Sequence, residues 1–539
     1  MATNPMTIAL YDTTLRDGSQ RKGISLSVGD KVKIATLLQD FGIPYLECGW
    51  PGSNPKDAEF FSIAKQLSFK SSKLVAFGAT RRKGIAAEDD SNLQALLAAE
   101  TPAVALVGKT WTLHVEKVLG VSFAENLAMI NESVSLMRQR GREVVYDAEH
   151  FFDGYRANRD YAVDSLVAAA QGGAAWLVLC DTNGGSIPSF IEAVVREVSA
   201  KLVSEGIAAK LGIHTHNDSE LAVANSLTAV DAGCVMIQGT INGYGERCGN
   251  ANLISLVPTL ELKMNRRCVP VGALAHLTEL SRKVAEIVNL NPDTQAPYVG
   301  SAAFAHKGGI HVAAVEKVAA SYEHVDPEIV GNRREIVVSE LSGRGNIRVR
   351  ANEMDVRLEG VEAAVLEQIK HLESKGFQFE NAEGSFELLM RRAASGYQPP
   401  FSLVDVMVVS DSRSLNQSHV QAMVKVRIGE RLLHTVSDGD GPVHALDGAL
   451  RKALEDAFPE VTDVRLTDYK VRILDPESAT AAITRVLIEA SYNEERWSTV
   501  GCSENIIHAS CTALCDSFEY AITRYAGLNA GASKTKRCA

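Results

Sequence analysis

Asp12-Thr13-Thr14-Leu15-Arg16-Asp17-Gly18-Ser19-Gln20 follows directly on the short apolar run Ile8-Ala9-Leu10-Tyr11. The run has the length and composition of a buried strand, so the polar stretch predicts charged groups clustered at a strand end. Asp17 offers carboxylate oxygens to a divalent cation, and Arg16 offers a planar guanidinium to an anionic oxygen. The stretch predicts a metal and an anion held side by side, although a solvated turn capped by an aspartate would look similar in isolation.

Seven further β-rich runs follow along the chain, with helical patterns between them. They are Tyr45 to Cys48, Leu74 to Phe77, Val104 to Val107, Glu143 to Tyr146, Trp176 to Leu179, Lys210 to Ile213 and Val235 to Gln238. Eight strands alternating with helices over about 240 residues predict an α/β fold, the (β/α)8 TIM barrel. A doubly wound sheet has the same rhythm, but no Gly-x-Gly-x-x-Gly follows the first strand.

Polar or glycine-rich clusters follow nearly every predicted strand. They include Glu47 to Gly52, Gly78 to Arg82, Gly108 to Thr110, Asp147 to His150, Asp181 to Gly184, His214 to Asp218 and Gly243 to Asn250. In a closed barrel the carboxyl ends of all strands meet at one mouth, where barrel enzymes carry their active sites. Scattered surface loops would give no reason for this consistency, so the clusters predict an enzyme.

His214 and His216 are candidate metal ligands, because alternation along a strand places both rings on the same side. Asp17 and Asn250 add a carboxylate and an amide oxygen from other strand ends. Two nitrogens and two oxygens leave coordination positions open for water and substrate, as a catalytic site requires. Mixed nitrogen and oxygen ligation admits Mg²⁺, Mn²⁺, Co²⁺ or Zn²⁺, and the sequence does not choose among them.

Four motifs together resemble the α-isopropylmalate synthase and homocitrate synthase family. They are Asp12 to Gly18, Cys180-Asp181-Thr182-Asn183-Gly184, His214-Thr215-His216-Asn217-Asp218 and Gly243-x-Gly245-Glu246-Arg247-x-Gly249-Asn250. The forms of Glu47 to Asp57, Phe77 to Arg82 and Ala148 to Asp153 look most like the branch of the family that uses pyruvate. Pyruvate is implied by this resemblance and by nothing in spacing or composition.

The resemblance implies a Claisen-type condensation of acetyl-CoA with pyruvate to (R)-citramalate and CoA, in isoleucine biosynthesis. Arg16 would bind the substrate and stabilise the developing alkoxide. Thr182 would hold the keto acid carboxylate, while Glu149 and His306, the latter from the segment beyond the barrel, are the two candidates for the base. A tyrosine found in sister enzymes near Gly331 has no counterpart here.

Other functions remain open from the sequence. Formation of 2-isopropylmalate or homocitrate would differ only in the keto acid pocket. An acyl-CoA lyase shares the Arg-Asp-Gly and His-x-His motifs but has little use for a duplicated C-terminal domain. A pseudoenzyme that senses an amino acid is disfavoured by intact Asp17, His214, His216 and Asn250.

The sequence predicts three parts: a catalytic barrel over 1–270, mainly helical linker subdomains over 271–398 and a regulatory domain over 399–539. The last part repeats at an offset of 64 residues, with Thr435-Val436 against Thr499-Val500 and Ala449-Leu450 against Ala513-Leu514. Each half predicts a ββα-type α+β unit. By resemblance to the family's leucine-binding domain, we expect a homodimer and allosteric inhibition by isoleucine.

Composition excludes some partners. The formal net charge is -11, without a block of Lys or Arg, which argues against nucleic acid and anionic membranes. No stretch approaches the roughly 18 to 20 apolar residues of a membrane span, and the start lacks a signal-like pattern. A soluble, cytoplasmic protein is expected.

Overall fold

The computed structural model describes residues 6–339, 342–358, 360–414, 417–493 and 495–525. The end of the predicted regulatory domain, 526–539, lies outside them. The chain divides into two compact units, the first formed by residues up to Phe304 with Val325–Arg333, the second by Ala305–His324 and the residues from Arg334 onward. None of the helices described has the length and apolar character needed to cross a membrane.

The first unit is built on a closed barrel of eight parallel strands in sequential order. The strands are β1 (Ala9–Asp12), β2 (Tyr45–Gly49), β3 (Lys73–Ala79), β4 (Ala103–Lys109), β5 (Glu143–Glu149), β6 (Trp176–Asp181), β7 (Lys210–Thr215) and β8 (Met236–Gly239). Pairing of β1 with both β2 and β8 closes the ring. The predicted TIM barrel is therefore confirmed.

Eleven α-helices lie among the described residues of this unit. They are α1 (Val28–Phe41), α2 (Pro55–Ala64), α3 (Ser91–Ala98), α4 (Thr112–His114), α5 (Phe123–Gln139), α6 (Phe151–Ala157), α7 (Arg159–Gly172), α8 (Pro188–Ser204), α9 (Ala222–Ala232), α10 (Leu253–Leu262) and α11 (Leu277–Ile287). Local sequence sets their ends: Ser27 and Asp30 form a capping box at the start of α1, and Gly42, with φ of 97°, ends it.

Alternation along the strands divides the apolar side chains between two cores. Tyr11, Val75 and Val178 point into the barrel, where the interior core is small and rich in aromatic rings. Leu10 and Leu177, one position away, belong to the larger core between strands and helices. Apolar side chains thus fill the part of the barrel interior away from the carboxyl ends of the strands. The polar residues at those ends form its open mouth.

The second unit begins with the short strands β9 (Ala305–His306) and β10 (Glu335–Ile336), which pair in parallel. Its helices before the C-terminal sheets are α12 (Gly309–Lys317), α13 (Arg344–Glu353), α14 (Glu362–Ser374) and α15 (Glu383–Ala393). Helix α15 is the last helix before the C-terminal sheets. It packs on the last strand and the last helix of the C-terminal region, where Ser385 Oγ donates to Asp516 Oδ2 at 2.6 Å.

Two three-stranded antiparallel sheets, each followed by a helix, form the C-terminal region. The first half comprises β11 (Ser402–Ser414), β12 (Gln417–Ile428), β13 (Arg431–Gly439) and α16 (Pro442–Leu454). The second comprises β14 (Arg465–Ile473), β15 (Thr484–Tyr492), β16 (Glu495–Ser503) and α17 (Ile506–Tyr525).

The predicted repeat is real in three dimensions. Thr435 Oγ1 donates to the carbonyl of Ala449 at 2.7 Å, and Thr499 Oγ1 donates to the carbonyl of Ala513 at 2.8 Å. Both pairs keep the offset of 64 residues. Each half has three strands, however, where the sequence predicted two. None of the described side chains of β11 and β14 is buried, so neither strand shows the alternation of buried and exposed residues that predicts a strand.

Candidate active site

The carboxyl ends of the barrel strands surround a cavity of about 760 Å³. Its lining includes the predicted site residues Arg16, Asp17, Glu149, Thr182 and His216. Their strand ends all lie at one mouth, as the barrel topology requires. The structure therefore brings together side chains that are up to 200 residues apart in the sequence.

Asp17, His214 and His216 form a buried cluster at the floor of this cavity. The Nε2 atoms of the two histidines lie 3.2 Å apart. Asp17 Oδ2 is 3.5 Å from His214 Nε2 and 3.9 Å from His216 Nε2. Two imidazole nitrogens and a carboxylate oxygen so close together are a set of donors suited to one divalent cation.

Asn250 borders the same cluster. A backbone bridge pairs it with His216, and its Nδ2 donates to the carbonyl of Tyr244 at 3.1 Å. Its Oδ1 is buried and makes no hydrogen bond among the described residues. A buried amide oxygen without a donor is costly, so Asn250 Oδ1 is available to a cation. Asp17, His214 and His216 fit a metal, and the part of Asn250 as a fourth ligand stays a prediction.

Burial and neighbouring charges determine the protonation states of these three side chains. Desolvation lowers the pKa of His214, and burial together with the neighbouring His214 lowers the pKa of His216 to about 3. Burial opposes the charge of Asp17, but Arg16 and the two histidines outweigh it and lower the pKa of the carboxyl. Neutral imidazoles and an ionised carboxylate at neutral pH are the forms that bind metals.

Arg16 is held rigidly beside the cluster. Its Nε donates to Glu47 Oε1 at 2.5 Å, its guanidinium carbon lies 3.9 Å from the centre of the Phe77 ring, and Nη1 is 3.5 Å from Asp17 Oδ2. Burial opposes its charge, but Glu47 and Asp17 raise the pKa of Arg16. The Nη groups therefore present a fixed positive charge next to the metal ligands.

Thr182 and Glu149 stand on neighbouring strand ends of the mouth. Thr182 Oγ1 accepts a hydrogen bond from the backbone N–H of His150 at 2.9 Å, so the hydroxyl keeps its own hydrogen to donate. Glu149 forms an ion pair with Lys109 at the end of β4. The first residue can bind an anionic oxygen, and the second places a carboxylate in the cavity.

His306 belongs to the second unit and lies on β9. Its Nε2 is 3.1 Å from Glu323 Oε1, and Arg334 donates to both oxygens of the same glutamate at 2.6 Å. Glu323 thereby fixes the ring of His306 within its own unit. The participation of His306 in the active site stays a prediction.

Glu47 has a role that the sequence analysis missed. Its side chain is 0% exposed and accepts from Tyr11 Oη at 2.5 Å as well as from Arg16. The signal was available, because a glutamate inside the apolar strand Tyr45–Gly49 must have a buried partner. The sequence could not say that this partner was Arg16, which lies on another strand end.

Comparisons with known proteins cover nearly the whole chain. Residues 7–284 match the HMGL-like family, residues 298–376 match a homocitrate synthase post-HMGL domain-like family, and residues 380–522 match the LeuA allosteric (dimerisation) domain. The chain is 51% identical over 533 residues to an (R)-citramalate synthase of Synechocystis sp., covering 97% of each chain.

Two other relatives are informative. An (R)-citramalate synthase of Geobacter sulfurreducens is 50% identical over 517 residues, which is 95% of this chain and 97% of the relative. A 2-isopropylmalate synthase of Shewanella sp. is 30% identical over 512 residues, 94% of each chain.

Proposed function

The chain belongs to the HMGL-like family and, within it, to the (R)-citramalate synthases, and we propose that the barrel mouth described above carries the condensation. The reaction joins acetyl-CoA to pyruvate and yields (R)-citramalate and CoA, so the protein is an acyltransferase. The observation that carries the assignment of the site is the convergence of Asp17, His214 and His216 beside Arg16.

Asp17, His214, His216 and Asn250 would hold the divalent cation. Bound there, the cation would supply a Lewis acid that polarises the keto carbonyl of pyruvate without proton transfer. The chain's own part is to fix the donors: His216 and Asn250 are tied by a backbone bridge. Mg²⁺, Mn²⁺, Co²⁺ and Zn²⁺ all accept this mixture of ligands.

Arg16 stabilises the alkoxide that develops when the acetyl methyl carbon attacks the keto carbon. Glu47 and Phe77 hold the guanidinium in place before the substrates arrive, so no reorganisation is needed during the reaction. Thr182 donates its free hydroxyl hydrogen to the carboxylate of pyruvate. These two contacts orient the keto acid against the acetyl group.

A base must remove a proton from the acetyl methyl group. Glu149 lies in the cavity, where its carboxylate forms an ion pair with Lys109. His306, held by Glu323, is the second candidate, and the choice between the two stays open. After the new carbon–carbon bond forms, water attacks the thioester and releases CoA, leaving the second carboxylate of the product.

The test of this function is the release of free thiol. Full-length protein, acetyl-CoA and one divalent metal at a time are mixed with pyruvate, 2-oxoisovalerate or 2-oxoglutarate. We expect kcat/KM for pyruvate to exceed that for the longer acids by roughly 10-fold or more, since a pocket shaped for methyl clashes with larger groups. A preference for 2-oxoisovalerate would assign the chain to 2-isopropylmalate formation instead.

The region from 399 onward is the regulatory part in this proposal, with 1–270 as the catalytic barrel and 271–398 as the linker. Support comes from its match to the LeuA allosteric (dimerisation) domain and from its two equivalent halves. The outer face of the first sheet exposes apolar residues: Val404, Met407, Val409, Leu432 and Val436. Such a face suits pairing with a second copy of the chain in a homodimer.

Isoleucine is the expected inhibitor, because citramalate leads towards it. Activity is measured against isoleucine and leucine, and the mass in solution by light scattering. Met407→Lys, at a position 55% exposed on the first sheet, should yield a monomer that no longer responds. Val203→Lys, at a position 75% exposed on α8 of the barrel, is the control and should stay dimeric and inhibited. Inhibition of a monomeric Met407→Lys variant would contradict the proposal.

A further inference from the structure

Gln238 is a buried polar side chain in the middle of the barrel. It lies on β8 beside the apolar residues Met236 and Ile237 and is 0% exposed. A buried amide must find partners for its carbonyl and its NH2 group, or it destabilises the fold. Both ends of Gln238 are satisfied, and both partners come from other strands.

The two partners are His214 and Asp147. Gln238 Oε1 lies 2.9 Å from His214 Nδ1, and Gln238 Nε2 donates to Asp147 Oδ1 at 2.8 Å. In the structure the NH2 end of the amide faces Asp147. Burial and the neighbouring Glu47 raise the pKa of Asp147 to about 8, and the carbonyl oxygen of a neutral carboxyl still accepts a hydrogen from the amide. The carbonyl end then faces His214, and only a hydrogen on Nδ1 can complete that bond.

This arrangement fixes which ring nitrogen of His214 is free. With the hydrogen on Nδ1, the lone pair of a neutral imidazole is on Nε2. Nε2 is the atom that lies 3.2 Å from His216 Nε2 and 3.5 Å from Asp17 Oδ2. The opposite tautomer would direct an N–H at the metal position and prevent ligation.

We propose that Gln238 is a positioning residue that holds His214 in the ligating tautomer and orientation, and that Asp147 determines which way the Gln238 amide faces. The inference rests on the metal site of the proposed function and adds the two residues behind it. Hydrogen bonds to the ring nitrogen that does not bind the metal orient metal-binding histidines and raise their basicity. Because Gln238 and Asp147 are both buried, water does not replace either bond.

Metal affinity tests the proposal without relying on turnover. Full-length protein is stripped of metal and titrated with Mn²⁺, and binding is followed by calorimetry and by the EPR signal of free Mn²⁺. Gln238→Met keeps the size of the side chain but removes both hydrogen bonds, and it should weaken Mn²⁺ binding by roughly 10- to 100-fold. Gln238→Glu keeps an acceptor for His214 Nδ1–H and should remain within about 3-fold of the wild type, well below the loss expected for Gln238→Met.

The control is Ser165→Ala, which removes a buried hydrogen bond within α7 and should leave Mn²⁺ affinity unchanged. Wild-type affinity in Gln238→Met would overturn the proposal, as would an equal loss in Gln238→Met and Gln238→Glu, since the hydrogen bond would then not matter. Failure of the wild type itself to bind Mn²⁺ would instead refute the metal site of the proposed function.

A second measurement needs no variant at position 238. In metal-free wild-type protein labelled with ¹⁵N-histidine, the His214 ring should give the Nδ1–H tautomer, identified by the signals lost in His214→Gln. An Nε2–H tautomer for His214 would overturn the proposal even if Gln238→Met failed to fold.

Discussion

Replacement of Arg16 by lysine separates transition-state stabilisation from substrate binding. Arg16→Ala would be a poor choice, because it leaves the fully buried Glu47 without its cation, which costs about 3–5 kcal/mol of stability. Lysine keeps the charge, but its single ammonium cannot both pair with Glu47 and reach the alkoxide. We expect kcat to fall by roughly 10²- to 10³-fold, the loss seen when one donor to a developing oxyanion is removed.

The assay is steady-state thiol release over a range of pyruvate concentrations at saturating acetyl-CoA. KM for pyruvate should change little, because the contact with Arg16 strengthens only as the alkoxide forms. Arg142→Lys, a change at the opposite end of the barrel where Arg142 donates to the carbonyl of Thr101, is the matched control. A large rise in KM with normal kcat would refute the reasoning and make Arg16 a substrate clamp.

Three further outcomes are expected. Asp17→Asn and His214→Ala should abolish turnover and weaken Mn²⁺ binding while the circular dichroism stays native, and full activity after metal repletion would exclude them as ligands. Thr182→Val should raise KM for pyruvate by roughly 10-fold or more through loss of a hydrogen bond to a carboxylate, whereas an unchanged KM would remove it from the site. Asp90→Ala should lose about 1–2 kcal/mol at pH 7, because Asp90 accepts from the backbone N–H groups of Asn92 and Leu93 at the start of α3. Burial opposes its charge, but these bonds and Arg82 lower the pKa of Asp90, so the difference in unfolding free energy from wild type should shrink as the pH falls below about 4; a constant difference would contradict it.

The barrel could be predicted because each strand is a short apolar run between helical patterns, and that signal is local. The residues at which the strands end could not be predicted. Strands β4 and β5 continue to Lys109 and Glu149, beyond the expected ends at Val107 and Tyr146, because these two polar residues still pair with each other between the adjacent strands. From composition alone, Lys109 and Glu149 were expected in loops. Closure of the barrel keeps their backbones hydrogen bonded within the sheet.

The cluster of Asp17, His214 and His216 could be predicted because its sequence signal is also local. Alternation along one strand places His214 and His216 on the same side, and the polar stretch at Asp17 is a strand end. The residues behind the cluster were not found, because Glu47 and Gln238 sit within apolar strands and act on residues of other strands. A single polar residue in a buried strand is the signal for such a role, but only the fold reveals the partner.

The link between α15 and the C-terminal region was also beyond the sequence. Arg392 donates to Asp516 and Glu519, and Ser385 Oγ accepts from the backbone N–H of Val500. Partners more than 100 residues away leave no local pattern. A chain cut near Gln398 would lose all of these contacts, so point changes on the first sheet test regulation more cleanly than truncation does.

The most direct test of the account is the position of the metal in crystals of the full chain grown with Mn²⁺ and pyruvate, located by the anomalous scattering of the ion. We expect one peak bounded by Asp17, His214, His216 and Asn250, with pyruvate completing the coordination and its carboxylate against Thr182. A peak elsewhere in the cavity, or pyruvate bound away from the ion, would contradict the assignment of the active site.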